Sequence, residues 1–264
     1  MPADLFFLEI ITVCMAGLIF GSFASAVVYR IPREISILKN DNQKPARSAC
    51  PHCGYELRFG DLIPLFSWIF LKGRCRHCKA AIPATYPLIE LTTMAGFLAV
   101  YALAGFVWSA LPLYLLVPAV VALLYIDLEH FILPDELNLI CGVLGAVYLS
   151  ISWQQNIYGL EAIIWAHILG GAVLYSVFAW VLGWMMQKLL KKEALGFGDV
   201  KFFAVAGLWL GASQLPLFLI GCGLMGIVFA VLWRLAGKGE VFPFGPAIIL
   251  SFFTLLFFDG SHLF

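Results

Sequence analysis

The 264-residue chain is 62% hydrophobic and only 12% charged, with a mean hydropathy of +0.94. Soluble domains contain about 25% charged residues, so this composition excludes an ordinary soluble protein. It also excludes disorder, because 23 Phe, 8 Trp and 9 Tyr residues are too much apolar surface to leave in water. Sixteen basic and sixteen acidic residues give no net charge, which argues against nucleic acid as a partner. The composition predicts an all-α polytopic protein surrounded by membrane lipid.

The predicted membrane spans are runs of mostly apolar residues, since a spanning helix needs about 20 of them. Eight such runs lie at 5–29, 88–106, 110–126, 137–153, 161–187, 201–213, 216–233 and 242–258. Only residues 211–216 separate the sixth run from the seventh, so seven spans are the alternative. The first run has no small-residue cleavage site, which indicates a retained helix and not a signal peptide.

The distribution of Lys and Arg predicts the orientation of these spans. Ten basic residues fall between Arg30 and Lys79, four lie between Lys188 and Lys201, and two are Arg234 and Lys238. Eight spans place all three clusters on one side, whereas seven would split them across the bilayer. We therefore expect both termini on the periplasmic side of a bacterial inner membrane and the long first loop in the cytosol.

The long polar stretch at residues 31–86 is too short to form a stable hydrophobic core of its own, so a disulfide or a bound metal is expected to stabilise it. Cys50 and Cys53 form one Cys-x2-Cys pair, and Cys75 and Cys78 form a second. Four thiolates on two tight turns suit tetrahedral zinc, and a closed four-cysteine site is structural. Two disulfides are the alternative, but the cytosol disfavours them. This pattern predicts a small zinc-stapled insert after the first span.

Ionisable groups at the edge of a span are costly, so each is a candidate for function. Two places stand out: the third run ends at Asp127, and the sixth is introduced by Gly196-Phe197-Gly198-Asp199. A pair of aspartates that share one proton can hydrolyse a peptide bond, because one activates water while the other donates a proton. The glycines would let an extended substrate approach the backbone closely.

The alternative is that Asp127 and Asp199 merely end and begin helices. Three further acids lie near Asp127: Glu129, Asp135 and Glu136. Asp127 is nearest the apolar run and is the choice on chemistry alone, while Asp135 follows Pro134 and is typical of a helix N-cap.

Several motifs in order along residues 17–250 resemble the type IV prepilin peptidases, also described as leader peptidase/N-methyltransferases. They are Phe20-Gly21-Ser22-Phe23, Tyr29-Arg30-Ile31-Pro32, the two Cys-x2-Cys pairs, Asp61 to Trp68, Tyr86 to Glu90, Asp127 to Asp135, Gly196 to Lys201 and Pro243-Phe244-Gly245-Pro246. The resemblance implies eight spans, a zinc-bearing cytosolic loop, and catalytic aspartates at Asp127 and Asp199.

The resemblance also implies a function. A membrane aspartic endopeptidase would remove the basic leader from type IV prepilins and type II secretion pseudopilins, after a glycine on the cytosolic side. The same chain would then methylate the new N-terminal residue with S-adenosylmethionine. The implied division is a first span at 1–30, a zinc-binding insert associated with methyl transfer at 31–86, and a seven-helix peptidase core at 87–264.

This sequence departs from the family pattern at Ala24-Ser25, at Lys79 where a Gly is usual, and at Thr85 where an Arg is usual. Because methyl transfer is tied to the insert, a peptidase without methylation is an alternative. A presenilin-type protease is another, although Ile126 separates Tyr125 from Asp127 here. An ion-coupled transporter would also place acids near spans, but the runs show no internal repeat. The basic leader is expected to lie near Glu129, Glu136 or Glu193.

Overall fold

The computed structural model describes residues 3–37, 47–155, 161–191, 195–239 and 241–258. Within these ranges the chain forms nine α-helices, four short 3-10 helices and no strand beyond isolated bridges. The α-helices are α1 (Ala3–Arg30), α2 (Phe66–Phe70), α3 (Thr85–Ala104), α4 (Leu111–His130), α5 (Asp135–Gln155), α6 (Glu161–Leu190), α7 (Phe197–Leu210), α8 (Leu215–Leu235) and α9 (Gly245–Phe258). All helices except α2 coincide with one of the eight apolar runs.

Five of the described helical stretches are long and apolar enough to cross a membrane. They are Asp4–Arg33, Thr85–Ala104, Trp108–His130, Leu169–Leu189 and Ala212–Leu235. Gly245–Phe257 is a shorter apolar helix, and α7 has only 14 residues. The structure therefore supports a polytopic all-helical protein, and the count of eight spans stays a prediction.

Helix boundaries differ from the apolar runs wherever polar residues belong to a helix. Helix α4 continues through Asp127 to His130 and ends where Phe131 adopts a left-handed conformation with φ 59°. Helix α7 begins at Phe197, before the apolar run at 201, and α5 begins at Asp135. The structure also separates the sixth and seventh runs, since α7 ends at Leu210 and α8 starts at Leu215.

The chain divides into two compact units, and the N-terminal unit comprises residues 1–107 and 117–125. Its centre is the packing of α1 against α3. Gly17 and Gly21 lie one turn apart on α1, and an added Cβ would lie 2.7 Å from Met94 Cα and 2.6 Å from Glu90 Cα, respectively. Small residues at this spacing let two helix backbones touch, as in membrane helix pairs.

The C-terminal unit comprises residues 108–116 and 126–264. Its core is aromatic: Phe218 lies at the centre, with ring centroids 5.3 Å from Tyr175 and 5.1 Å from Phe203. Phe202 packs edge-on against Phe252 of α9 at 5.6 Å, and all five side chains are fully buried. These contacts join α6, α7, α8 and α9 in one core.

Candidate functional site

Asp127 lies in the last turn of α4 and is buried, with 5% of its surface exposed. Its Oδ2 atom has no hydrogen-bond partner among the described residues. A buried carboxylate oxygen without a partner is costly and usually has a functional reason. The position at the end of a long apolar helix is the one that the sequence predicted for this residue.

The backbone amide of Gly245, the first residue of α9, faces the Asp127 carboxyl group. A Cβ atom at Gly245 would lie 2.5 Å from Asp127 Oδ2 and 2.7 Å from its Cγ. Only glycine therefore fits here, and it brings the positive end of α9 towards a carboxylate. The sequence places Gly245 in the Pro243-Phe244-Gly245-Pro246 motif but predicts no role for it.

Asp199 lies in the first turn of α7, where its Oδ2 accepts a hydrogen bond of 3.1 Å from the Gly196 N–H. The Gly196 carbonyl in return accepts bonds from the backbone N–H groups of Asp199 and Val200. Gly198 packs against the loop after α4, since an added Cβ would lie 3.0 Å from both Leu133 Cβ and Leu133 O. These contacts hold the start of α7 beside the end of α4.

The carboxyl groups of Asp127 and Asp199 are near enough for their charges to interact. Both residues belong to the C-terminal unit. The structure thus brings together the two acids that the sequence proposed as a pair, one buried and one half-buried. Two such carboxylates can hold a water molecule between them, with one group acting as base and the other as acid.

The neighbouring acids have other surroundings. Asp135 forms a 2.6 Å ion pair with Lys201 Nζ, and 67% of its side chain is exposed. The N-cap predicted for Asp135 is wrong, because α5 begins at Asp135 itself. Its side chain forms the ion pair with Lys201 instead. Glu129 lies 4.0 Å from His130 Nε2, Glu136 is exposed, and Glu193 lies outside the described residues.

The four predicted zinc ligands form one cluster, with all four Sγ atoms within 4.8 Å of one another. Cys50 Sγ and Cys78 Sγ are 3.8 Å apart, and all seven cysteines are free thiols. Zinc–sulfur bonds of about 2.3 Å in a tetrahedron require sulfur–sulfur distances of about 3.8 Å. One sulfur pair already lies at this distance, so the cluster is close in size to a tetrahedral site and can close around a metal with small shifts of the other sulfurs.

The two cysteine turns are built alike. Cys50 N bonds Tyr55 O in the first, and Cys75 N bonds Ala80 O in the second. Each turn closes on a residue with positive φ, which is Gly54 (67°) in the first and Lys79 (62°) in the second. The turns meet through the stacked rings of Tyr55 and His77, 5.2 Å apart.

Comparison with known proteins identifies the chain. Residues 15–104 match the bacterial peptidase A24 N-terminal domain, and residues 114–231 match the type IV leader peptidase family. The chain is 36% identical, over 90% of its length and 89% of the relative's, to a type 4 prepilin-like proteins leader peptide-processing enzyme of Escherichia coli O78:H11. The chain belongs to the type IV leader peptidase family.

Other members of this family give similar figures. A prepilin leader peptidase/N-methyltransferase of Aeromonas salmonicida is 33% identical over 94% of this chain and 90% of its own. A prepilin leader peptidase/N-methyltransferase of Pseudomonas aeruginosa is 35% identical over 90% of this chain and 86% of its own. No solved structure matches the chain. The residues that match the two domains contain the cysteine cluster and both aspartates, in that order.

In this leader peptidase family member, the four cysteine thiols are crowded. Backbone N–H groups of Cys78 and His77 point at Cys75 and lower its pKa to about 7. At Cys78 the Ala80 N–H acts in the same direction, but burial and the other thiols outweigh it and raise the pKa to about 11. Four adjacent thiolates repel one another, and a divalent cation removes that repulsion.

Outside the cluster, Arg76 joins the second turn to the segment that precedes α2. Its Nε donates to Asp61 Oδ1 at 2.7 Å, and the Asp61 side chain is 3% exposed. Burial opposes ionisation of Asp61, but hydrogen bonds from Arg76 and from the Arg58 N–H prevail and lower its pKa. Asp61 therefore stays charged and holds the second cysteine turn in place.

Sequence reasoning gave no role to Asn138 in the site. It is 4% exposed, its Nδ2 donates to Leu133 O at 3.3 Å, and its Oδ1 has no partner among the described residues. Asn138 thus fixes the loop against which Gly198 packs. Nothing in the spacing of residues pointed to Asn138.

Proposed function

We propose that this chain is an aspartic endopeptidase that removes the leader peptide from type IV prepilins and type II secretion pseudopilins. The observation that carries the proposal is the approach of Asp127 and Asp199, two acids from motifs 72 positions apart in the chain. Membership of the type IV leader peptidase family supports the same substrate class. We assign both aspartates to catalysis.

The proposed reaction uses a water molecule between the two carboxyl groups. The ionised aspartate takes a proton from the water, whose oxygen attacks the carbonyl carbon of the last glycine of the leader. The protonated aspartate then donates its proton to the leaving amine as the carbon–nitrogen bond breaks. One water is consumed, and the products are a free leader carboxylate and a new N-terminus. The Gly245 N–H would hold Asp127 in position during these steps.

We further propose that cleavage occurs at the cytosolic face of the bacterial inner membrane, with eight spans and both termini in the periplasm. The support is the clustering of Lys and Arg on one side under an eight-span arrangement. The basic leader would then lie near the exposed carboxylates of Glu129 and Glu136, and near Glu193.

Methyl transfer to the new N-terminus is the second activity that we propose, with S-adenosylmethionine as donor. The relatives named peptidase/N-methyltransferase support it. We assign it to the insert at 31–86, between the first span at 1–30 and the peptidase core at 87–264. Lys79 and Thr85 both depart from the family pattern within this insert, so cleavage without methylation is the alternative.

Zinc is the metal that we propose for the four cysteines, because thiolate ligands at tetrahedral spacing favour it. Cys50, Cys53, Cys75 and Cys78 fill all four positions and leave none for a water molecule. The metal would therefore stabilise the insert and would not take part in peptide hydrolysis.

The test is a cleavage assay in membranes with a prepilin that carries its leader, read by mass spectrometry. Asp127→Asn and Asp199→Asn should each lower cleavage by at least about a thousandfold, because the carboxamide can act neither as base nor as acid. Asp4→Asn, at an exposed acid in the first turn of α1, should leave cleavage unchanged. Full cleavage by either dyad variant would refute the assignment.

The same assay with S-adenosylmethionine tests the second activity. A product heavier by about 14 Da would establish methylation, since one methyl group replaces one hydrogen. A product of unchanged mass at complete cleavage would establish a peptidase without methylation.

A further inference from the structure

The segment between the two cysteine turns exposes a row of large apolar side chains that the proposed activities do not use. Phe66, Ile69 and Phe70 of α2 are 51%, 61% and 79% exposed, and Ile63, one turn before Phe66, is 44% exposed. Phe66, Ile69 and Phe70 lie at helical spacing along one face of α2. On a segment surrounded by water, such a row would be a liability for aggregation.

The opposite face of α2 is fixed to the N-terminal unit. Trp68 Nε1 donates to Ile82 O at 3.1 Å, and the ring of Trp68 covers Gly73. At the start of α2, the Leu65 N–H donates to Glu90 Oε2 at 2.7 Å. Glu90 belongs to the second turn of α3, a candidate span. The contacts therefore hold the start of α2 beside the first turns of α3, a candidate membrane span.

A cavity of about 430 Å³ adjoins the end of α2. It is lined by Leu71, Lys72, Arg74, Cys75 and Lys79. Three of the five lining residues are basic and none is Asp or Glu, while Cys75 belongs to the cysteine cluster. Over residues 57–82 the chain carries five basic residues and one acid, and that acid, Asp61, already pairs with Arg76.

We propose that α2 is an interfacial helix whose apolar face lies in the lipid of the membrane and whose adjoining basic cavity binds the headgroup of an anionic phospholipid. Charge complementarity selects this occupant, because a phosphate diester is attracted by Lys72, Arg74 and Lys79. S-adenosylmethionine carries a sulfonium and an ammonium group against a single carboxylate, so its net positive charge is repelled by the same three side chains. The exposed face of Phe66, Ile69 and Phe70 would contact the acyl chains of the same leaflet.

The proposal rests on the membrane placement of the chain and not on the aspartate pair. It is tested on the purified full-length protein in neutral detergent, by the rise in melting temperature when phosphatidylglycerol or phosphatidylcholine is added. The cavity variant, Lys72→Gln with Arg74→Gln, removes two positive charges from the lining of the cavity. Arg234→Gln with Lys238→Gln is the matched control, since it removes two exposed charges at the end of α8.

We expect phosphatidylglycerol to stabilise the wild type, the control and the inactive Asp127→Asn protein equally, and more than phosphatidylcholine does. The cavity variant should bind phosphatidylglycerol at least about tenfold more weakly. Inorganic phosphate should give no such stabilisation. Equal shifts in the cavity variant and its control, or equal shifts with both lipids, would overturn the headgroup site.

A second measurement tests the apolar face separately. A photo-cross-linking benzophenone amino acid in place of Phe70 should capture labelled phospholipid in membranes, whereas the same residue in place of the exposed His52 should not. Capture at Phe70 of another part of the chain, without lipid, would show that protein covers this face and would overturn the proposal.

Discussion

Gly245 leaves just enough room for the carboxyl group of Asp127, so a single methyl group should disturb the candidate site. A Cβ atom there would lie 2.5 Å from Asp127 Oδ2, inside van der Waals contact. We expect Gly245→Ala to lower the rate of leader cleavage about a hundredfold, since small displacements of catalytic groups have effects of that size.

Gly223→Ala is the matched control for this change, because an added Cβ on that helical glycine meets no atom within 4 Å. Both variants should accumulate in membranes at wild-type levels, and cleavage is measured per amount of protein. Normal cleavage by Gly245→Ala would mean that Asp127 has more freedom than its burial indicates.

Lys79 occupies a backbone conformation that favours glycine, at φ 62°. The equivalent residue of the first cysteine turn is Gly54, at φ 67°. A left-handed conformation costs a residue with a Cβ about 1 kcal/mol. In neutral detergent, we expect Lys79→Gly to raise the free energy of unfolding of the insert by up to about 1 kcal/mol, read as the chelator concentration needed to release the metal.

Ala80→Gly serves as the control for Lys79→Gly, since Ala80 is not among the residues with positive φ. It should destabilise the insert, because glycine loses more conformational entropy on folding. If both glycine variants changed stability in the same direction, strain at Lys79 would not be the cause.

At the scale of elements, an ion pair between Asp135 and Lys201 links the first turn of α5 to the second turn of α7. Both side chains are more than a third exposed, so the pair contributes little to global stability, less than about 1 kcal/mol. The pair matters more for catalysis than for stability, because Lys201 lies two residues after Asp199 and the pair helps to position that residue. We expect Lys201→Gln to lower cleavage about tenfold at nearly unchanged melting temperature.

The exchange Asp135→Lys with Lys201→Asp tests this account. It should restore part of the activity lost in either single reversal, since the attraction is re-formed with opposite polarity. Arg47→Gln, which breaks the exposed pair with Glu56 in the N-terminal unit, should leave cleavage unchanged. A double reversal no better than the singles would remove the pair from the mechanism.

Hydropathy located every long helix but misplaced the ends that carry function. Helix α7 starts at Phe197 because the Asp199 carboxylate caps the Gly196 N–H. Hydropathy misses this first turn, since its polar residues interrupt the apolar run. Helix α4 likewise includes Asp127. The approach of Gly245 to Asp127 and the Asn138 contact depend on tertiary packing between distant segments, which no local spacing records.

For the molecule as a whole, the sequence predicted two roles in separate stretches, a metal-stapled insert at 31–86 and a peptidase core at 87–264. In the structure the four cysteines belong to the N-terminal unit, and Asp127 and Asp199 belong to the C-terminal unit. Each set of residues is therefore held by its own packing. Loss of the metal should affect the two proposed activities unequally.

Cys50→Ser with Cys78→Ser should abolish metal binding, because two of four thiolates are lost and the remaining site cannot close around the ion. We expect residues 47–82 to become sensitive to protease and methyl transfer to disappear, while leader cleavage falls by less than about tenfold. Metal content is measured by mass spectrometry of the purified protein. Cys14→Ser, which changes a thiol of α1 outside the cluster, should keep the metal and both activities. Equal loss of cleavage and methylation in the double variant would show that the insert supports the peptidase directly, and would contradict the proposed division of roles.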